Sequence, residues 1–460
     1  MTRRVSAACA AVALLLVLPF VNTHVRGDGN GYFSWIASAV VDGDLDFRNQ
    51  YEHANLLFAD RYFDASGAPR PELITPTGRL DNQWATGPAV LWAPWFLTAH
   101  VIVRVTGTSA EDGFASAYRQ ACAIGSFCYA VCGLWLSALS ARRFGVSLPV
   151  AAAAAVTVFG ASSLLVYTFV LPFHVHALAA FTVALFLWYR ITRGVDLTPL
   201  QWAIWGALAG LMCMTYYVDA VFALLALPAA VEAARRRGGR ASIAGVGIFT
   251  AAALLAALPQ WIGKAVVYGS PVVTGYQDAF HWWAPELWQT AFSTEHGVIL
   301  WTPLVGVGIV GCAMVARQRL DMVWMLATAA LFYVVIASYS SWHGLSSFGN
   351  RFFVSWTPLL VIGVGVIGQG MWQRRGMWRV WAVSCAVALM AWNAGLAVQW
   401  ATKMMPSRGP VDVRMVVAQQ WAVPGRVGQL LRRYVTDRAN LAAEIEEQDR
   451  REWHEYRQRQ

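Results

Sequence analysis

Charged side chains are scarce in this sequence, and their scarcity argues against a soluble fold. Asp, Glu, Lys and Arg make up 13% of the 460 residues, about half the usual share of a globular protein. Hydrophobic residues make up 57%, and the chain contains 23 Trp and 22 Phe, which concentrate at membrane interfaces. The composition therefore predicts a polytopic membrane protein.

Several kinds of site are also missing. All Cys residues lie inside apolar stretches, so neither a disulfide framework nor a thiolate metal site is encoded. No strand-turn-helix segment carries a GxGxxG or Walker sequence, which argues against a nucleotide-phosphate cradle. The basic residues punctuate hydrophobic runs and form no basic segment, so the net charge of +9 does not indicate nucleic-acid binding. Only two of the 35 basic residues are Lys, which, together with abundant Ala and Gly, hints at a GC-rich bacterial genome.

Apolar runs of membrane-spanning length recur along the chain. About 20 helical residues cross a hydrocarbon core of roughly 30 Å. The runs lie at 6–24, 117–140, 148–170, 173–190, 200–216, 219–233, 241–263, 298–316, 322–339, 352–371 and 378–398. They predict an all-α fold with about eleven transmembrane helices. The first run follows two Arg residues and is alternatively a cleaved signal peptide.

One further apolar stretch, 87–105, must either cross the membrane or lie on its outer surface. If it crosses, Arg142 and Arg143 lie outside, against the positive-inside tendency. If it lies flat as an interfacial helix, every short inner loop carries cations. We therefore expect the second arrangement in a bacterial inner (plasma) membrane, with the amino terminus inside and the carboxyl terminus outside.

This topology predicts a transmembrane domain at 1–399 and a charged amphipathic tail at 400–460. The outer loops of the first domain are 25–116, which contains juxtamembrane helices, and 264–297 and 340–351. Polar chemistry thus concentrates on one side of the membrane. The apolar face of the tail consists of Leu430, Leu431, Tyr434, Leu441 and Ile445. That pattern predicts a helix that binds either the membrane surface or a partner.

The first outer loop (25–116) places an acid directly after the first span. Asp28 lies within about one helical turn of the membrane surface and is flanked by glycines, which allow a close approach of backbone and substrate. A carboxylate there can meet a lipid head group, although a solvated loop acid is the simpler alternative. Asp44 follows in the same loop and could share a divalent cation with Asp28.

Two cations stand where outer loops meet spans. Arg351, in SFGNRFF, can bind a phosphate bidentately at head-group level, and interfacial snorkelling is the alternative. Lys264 offers a second cation at the outer end of its span. Further candidates for substrate contacts are Tyr32, His174, His176, Tyr217, Asp219, Glu295, His296, Trp342 and His343. The histidine pair is alternatively structural, and Asp219 alternatively caps a helix.

The order of these segments resembles the GT-C superfamily of membrane glycosyltransferases, which includes protein O-mannosyltransferases and lipid A aminoarabinose transferases. The resemblance extends over about residues 10–375. It is carried by the acidic start of the first loop and by GPAVLWAPW, RQACAIG, ARRFG, FHVHAL, YGSPVVTGY, STEHGVILWTP and SFGNRFF. The chain departs from the family pattern where His174 and His176 replace an acid, and where Tyr216 and Tyr217 replace an Arg.

The resemblance implies transfer of a hexose or pentose from a polyprenyl-phosphate donor to a hydroxyl of a lipid, glycan or protein, usually with inversion, on the non-cytoplasmic face. It places the family's first-loop base on Asp28. A departing phosphate ester is already a stable anion, so the reaction needs a base and cations but no general acid. We expect Arg351 and Lys264 to stabilise that phosphate, and Mg²⁺ or Mn²⁺ to be a possible cofactor. A transporter or lipid-linked sugar flippase is the rival prediction, although no inverted repeat is detectable.

Overall fold

The computed structural model describes residues 14–194, 196–276 and 279–459. Over these residues the chain is helical and forms no strand, with isolated β-bridges at Phe63–Pro69, Ile74–Leu80 and Phe280–Tyr339. The predicted all-α fold is therefore confirmed. The first predicted span begins within residues 1–13, which lie outside the described residues.

The α-helices are numbered along the described chain. The first outer loop contains α1 (Asp28–Ala37), α2 (Arg48–Glu52), α3 (Leu56–Tyr62) and α4 (Gly87–Thr106). The middle of the chain contains α5 (Ser116–Arg142), α6 (Leu148–Gly160), α7 (Leu164–Phe169), α8 (His176–Thr192), α9 (Pro199–Thr215), α10 (Ala226–Arg237), α11 (Gly239–Ala256) and α12 (Leu258–Tyr268). The last part contains α13 (Leu287–Phe292), α14 (Val298–Trp301), α15 (Leu304–Ala316), α16 (Leu320–Ser338), α17 (Thr357–Arg374), α18 (Met377–Ala401), α19 (Val413–Gln420), α20 (Val423–Thr436) and α21 (Arg438–Arg459). Short 3-10 helices lie at Leu18–Phe20, Pro71–Leu73, Tyr217–Leu225 and Arg351–Trp356, and a π-helical turn, Ser38–Asp42, follows α1.

Seven segments of the described chain are long and apolar enough to cross a membrane, judged by length and composition. They are Gly87–Thr106, Ser116–Arg142, Tyr217–Arg237, Gly239–Ala256, Leu320–Ser338, Arg351–Arg374 and Met377–Ala401. Three shorter apolar helices, α6, α8 and α15, accompany them. The polytopic membrane architecture agrees with the prediction. Because α4 itself has spanning length, its expected interfacial position stays a prediction.

The predicted span at 148–170 is interrupted. Helix α6 ends at Gly160, and α7 begins only at Leu164. The side-chain amide of Asn393, on α18, donates hydrogen bonds to the carbonyls of Gly160 (2.9 Å) and Ser162 (3.0 Å). These bonds satisfy carbonyl groups that the break removes from the helical ladder, which makes an interrupted helix tolerable inside a membrane.

The helix is interrupted between the predicted runs at 200–216 and 219–233. Helix α9 begins with a capping box, in which Thr198 and Gln201 bond each other's backbone, and it ends at Thr215. Tyr216 is extended, with φ −146° and ψ 114°, and a 3-10 helix follows. The break therefore gives the chain an irregular segment that carries Tyr216.

Glycines bring α15 and α17 into backbone contact. A Cβ atom at Gly363 would lie 1.9 Å from the carbonyl oxygen of Gly308, and one at Gly311 would lie 2.0 Å from that of Gly363. A side chain at either position would therefore separate the helices. Since α17 follows directly on the 3-10 helix Arg351–Trp356, this packing also holds the segment that begins at Arg351.

The carboxyl-terminal tail folds back onto the first outer loop. Asp449, on α21, forms an ion pair with Arg26 at 2.6 Å, and Arg450 pairs with Asp60 at 2.9 Å. Lys403 also contacts Asp449. The tail is helical, as its charged pattern predicts, and it lies on the same side of the molecule as the first outer loop.

Candidate active site around Asp28 and Arg351

Glycines shape the start of α1, where Asp28 lies. Gly27 adopts φ 54° and ψ −135°, a conformation that favours glycine, and its N–H donates to Asn55 Oδ1 at 3.0 Å. A Cβ at Gly31 would lie 2.0 Å from Cε3 of Trp84, so the helix packs directly on that ring. Asp28 occupies the first helical turn, where the helix dipole favours a negative charge.

Asp28 and Arg351 form an ion pair. Oδ2 of Asp28 lies 2.8 Å from Nη1 of Arg351, and the two side chains are 33% and 15% exposed. Nε of Arg351 is buried without a hydrogen-bond partner among the described residues. Burial alone would raise the pKa of Asp28, but the Arg351 guanidinium opposes it, and the net pKa lies below its ordinary value. Asp28 is therefore ionised at neutral pH.

His174 contacts the guanidinium of the ion pair. Its ring nitrogen Nδ1 lies 3.4 Å from Nη1 of Arg351. Burial lowers the pKa of His174 to about 4, with Asp28 opposing that shift. A neutral imidazole can accept a hydrogen bond from the guanidinium, whereas an imidazolium would repel it. His176 lies behind it, with its ring against Tyr167 (4.6 Å) and Tyr216 (5.6 Å).

Several tyrosines lie close to the pair. The ring of Tyr276 lies 6.3 Å from those of Tyr217 and Tyr339. Burial raises the pKa of the Tyr276 hydroxyl, and the nearby Asp28 carboxylate raises it further. Burial and Tyr276 likewise raise the pKa of Tyr32. The hydroxyls stay protonated, and they combine hydrogen-bond donors with flat faces of the kind that suit a sugar.

Sequence reasoning missed two of these tyrosines. Tyr276 lies in the predicted loop 264–297 and Tyr339 at the end of the predicted run 322–339. Each alone is indistinguishable from an ordinary interfacial aromatic residue. The one sequence signal was the position of Tyr276 at the end of YGSPVVTGY. Tyr32, by contrast, was predicted and lies beside the pair, one turn after Asp28 on α1.

A cavity of about 960 Å³ reaches the Arg351 side chain of the pair. Gly27, Asn30, His174 and Arg351 line it, whereas Asp28 is not among its lining residues. The other polar lining groups include four cations: Arg26, Arg119, Lys403 and Arg408. The predicted apolar face of the tail lines the rest, through Leu430, Leu431, Tyr434, Leu441 and Ile445. The apolar face of the tail therefore lines a cavity of the protein itself. The sequence had predicted that this face binds a membrane surface or a partner.

Lys264 is placed differently from the prediction. Its ammonium group is fully buried, donates to the Asn82 carbonyl at 2.7 Å and lies 4.8 Å from the centre of the Tyr268 ring. Burial lowers the pKa of Lys264 to about 7, although Asp81 opposes the shift. It does not line the cavity at Arg351. The position supports a structural role in the first outer loop and not the expected contact with a donor phosphate.

Asp28 and Asp44, the predicted ligands of a shared cation, each have other polar partners in the structure. Asp44 accepts hydrogen bonds from the Ser38 hydroxyl (3.0 Å) and the Asp46 N–H (2.9 Å), while Asp28 is held by Arg351. No group of three or more His, Cys, Asp or Glu side chains that could hold a metal occurs in the described part of the chain. The expectation of a cation between Asp28 and Asp44 therefore gains no support.

The predicted residues of the later outer loops form a second cluster. His343 Nδ1 lies 3.3 Å from Glu295 Oε1, and His296 Nδ1 bonds the His343 carbonyl at 2.8 Å. The carbonyl of Trp342 accepts a hydrogen bond from Asn350, the residue before Arg351. These contacts fix the loop that carries Arg351, so this cluster stabilises the position of Arg351.

Asp219 is buried within the candidate span Tyr217–Arg237. Neither carboxylate oxygen of Asp219 has a hydrogen-bond partner of good geometry among the described residues. Its polar neighbour is the side chain of Ser355. Its side chain does not cap the 3-10 helix. Asp219 therefore neither lines the cavity nor caps its helix.

No family model matches the sequence, and no curated protein matches it. Among solved structures, the fold is similar to the crystal structure of ArnT from Cupriavidus metallidurans bound to undecaprenyl phosphate. The identity is 15% and the TM-score 0.46, over 92% of this chain and 76% of that chain. A likeness of this size assigns neither a family nor an activity, so function must be argued from the site itself.

Proposed function

We propose that the protein is a membrane glycosyltransferase. In this proposal it transfers a sugar from a polyprenyl-phosphate donor to a hydroxyl of a lipid, glycan or protein acceptor at the outer face of a bacterial inner membrane. The observation that carries the proposal is the contact of Asp28 with Arg351, a residue that itself lines a cavity combining cations with apolar side chains. A base and a phosphate-binding cation are the two groups that this transfer requires.

Asp28 acts as the general base in the proposed reaction. Its carboxylate accepts the proton of the acceptor hydroxyl while the hydroxyl oxygen forms a bond to the anomeric carbon. The bond from that carbon to the phosphate oxygen breaks, and its electron pair leaves with the phosphate. Attack from the face opposite the departing phosphate inverts the anomeric centre.

Arg351 stabilises the departing phosphate. The diester donor carries one negative charge and the released monoester up to two, so the guanidinium interacts more strongly as the bond breaks. Nε of Arg351, buried and without a partner among the described residues, is a donor available to a phosphate oxygen. Neutral His174 adds no charge and supports the orientation of the guanidinium through its contact with Nη1.

Donor binding activates the base. Arg351 holds the pKa of Asp28 below its ordinary value, which makes the carboxylate a weak base. A phosphate bound to Arg351 competes for the same guanidinium and adds a negative charge beside Asp28. Both effects raise the pKa of Asp28, so proton acceptance becomes more favourable once the donor is in place.

A transfer assay tests this proposal. Purified full-length protein in lipid nanodiscs is supplied with radiolabelled polyprenyl-phosphate sugars and a membrane extract as the acceptor source. We expect a labelled product with wild-type protein and its loss with Asp28→Asn. Movement of the intact donor across proteoliposomes with no transfer to any acceptor would contradict the proposal and favour the flippase.

A further inference from the structure

The tail leaves apolar surface uncovered inside the cavity. Leu431 lines the cavity and is 48% exposed, and Leu441 and Ile445 line it as partly exposed side chains of the next helix. Exposed apolar area of this kind is unfavourable in water, by roughly 25 cal/mol per Å². This apolar face of α20 and α21 lines the cavity. A ligand with apolar surface that binds there would therefore remove the face from contact with water.

Ion pairs hold the tail in position, and several of the charged groups that form them also line the cavity. Asp449 bridges Arg26 and Lys403, and Glu452 pairs with Lys403 at 3.2 Å. The Glu446 carboxylate accepts the N–H of Leu56 in the first outer loop. These contacts attach α21 to both the first outer loop and the end of α18, so its apolar face is fixed toward the cavity.

The lining of the cavity is amphipathic. It includes Arg351 and His174, which contact each other beside Asp28, and Arg26, two residues before Asp28. The lining residues of α20 and of the first half of α21 are mainly apolar, and Glu446 and Asp449 follow them on α21. A lipid that bears a phosphate at one end and a long hydrocarbon chain matches this distribution, with its phosphate at Arg351. A volume near the upper end of ordinary small-molecule sites suits the phosphate and the first units of such a chain.

We propose that residues 430–445 form the wall against which the first units of an isoprenoid phosphate lie. The proposal rests on the proposed function, because the phosphate that Arg351 binds fixes the end from which the chain extends. It goes further by giving the tail a direct role in selecting substrates by their hydrocarbon chain. Leu441 and Ile445 then contribute to affinity in proportion to the chain they cover.

Binding of prenyl phosphates of different length tests the proposal. Geranylgeranyl phosphate and dimethylallyl phosphate share the phosphate and differ in the number of isoprene units. Wild-type protein in zwitterionic nanodiscs should bind the longer compound more tightly. In the double variant Leu441→Gln with Ile445→Gln, we expect that preference to fall by about tenfold or more, the scale set by the transfer of aliphatic side chains. Affinity for dimethylallyl phosphate should stay the same.

Val435→Gln is the matched control, since Val435 lies on α20 but is 77% exposed and does not line the cavity. It should leave both affinities unchanged. An undiminished preference in the double variant would overturn the proposal.

A photoreactive geranylgeranyl phosphate with a diazirine at the chain end provides a second measurement on the wild-type protein, independent of whether the variant folds. Labelling within residues 430–445 is expected, and labelling confined to other segments would overturn the proposal.

The two proposals fail in different ways. Sugar transfer by the wild-type protein with a chain-length preference that ignores the tail would remove only the role of the tail. Tail-dependent binding of prenyl phosphates without any sugar transfer would remove only the proposed enzyme activity.

Discussion

The Asp28→Asn variant separates the two effects of the contact between Asp28 and Arg351. Asn has nearly the same shape as Asp and can still accept a hydrogen bond from the guanidinium, but it carries no charge and cannot act as a base. Turnover should therefore fall by about 10²- to 10⁴-fold, which corresponds to a barrier higher by about 3 to 5 kcal/mol. Affinity for the phosphate of the donor should rise, because Asp28 no longer competes for Arg351.

The size of that gain follows from the geometry of the pair. Two unit charges at 2.8 Å interact by about 1.5 kcal/mol at the dielectric constant of water and by about 6 kcal/mol at an effective constant of 20. Because Asp28 is 33% exposed, solvent screening brings the value toward the lower figure, and exposed pairs measure only about 0.2 to 1 kcal/mol. We therefore expect a gain of about 1 to 2 kcal/mol, or roughly 5- to 30-fold in the dissociation constant.

The assay pairs single-turnover transfer with equilibrium binding of a labelled polyprenyl phosphate. Asp64→Asn is a suitable control, because Asp64 is an exposed turn acid of the same loop that bonds Ser66 and Ala68. Its turnover and affinity should match those of the wild type. Weaker phosphate binding by Asp28→Asn, or near-native turnover, would refute the assignment of competing and catalytic roles to Asp28.

Three further predictions concern the neighbouring groups. Arg351→Ala should weaken binding of a polyprenyl phosphate by about tenfold or more, since charge-assisted hydrogen bonds contribute roughly 1.5 to 3 kcal/mol. Lys264→Met should leave that affinity unchanged. Equal effects of the two substitutions in a binding titration would contradict the different roles assigned to these cations. The pKa of His174 is lowered from 6.5 to about 4 in the folded protein. Between these pH values the unfolded chain therefore binds more protons than the folded protein. The free energy of unfolding should fall by about 3 kcal/mol as the pH drops from about 6.5 to about 4. His174→Asn should reduce that loss in unfolding measurements across the same range, and an unaltered pH dependence would count against it. EDTA should leave transfer unchanged, because the Arg351 guanidinium already neutralises the Asp28 carboxylate that would ligate a cation. Loss of activity that Mg²⁺ or Mn²⁺ restores would reverse this expectation.

Much of the fold was predictable because membrane spans are encoded locally. A run of apolar residues long enough to cross the bilayer has few alternatives to a helix, since lipid offers no partner for backbone groups. The interruption after Gly160 was not predictable in this way. It depends on hydrogen bonds from Asn393, far along the chain, and the small residues Gly160, Ser162 and Ser163 are also common inside continuous membrane helices.

The contact between two of the candidate residues was predictable from their positions relative to the predicted spans. Asp28 and Arg351 were assigned to the same outer boundary, and they are in contact. Lys264 was assigned there by the same reasoning, yet its side chain points to Asn82. Depth follows from a residue's position relative to a span, whereas side-chain direction depends on how helices rotate and pack. The convergence of Tyr276 and Tyr339 depends on packing between distant segments, which a single sequence does not specify.

The glycine contact between α15 and α17 connects the bilayer interior to the outer site. Gly363 lies twelve residues after Arg351, a distance of about 20 Å along the helical segment. A methyl group at Gly363 would meet the carbonyl of Gly308 at 1.9 Å, and the helices would have to separate. Such a shift would carry the guanidinium away from the carboxylate of Asp28 although neither residue had been altered. Substitutions of these buried interhelical glycines can therefore disturb the candidate site from a distance while every polar group of the site is retained.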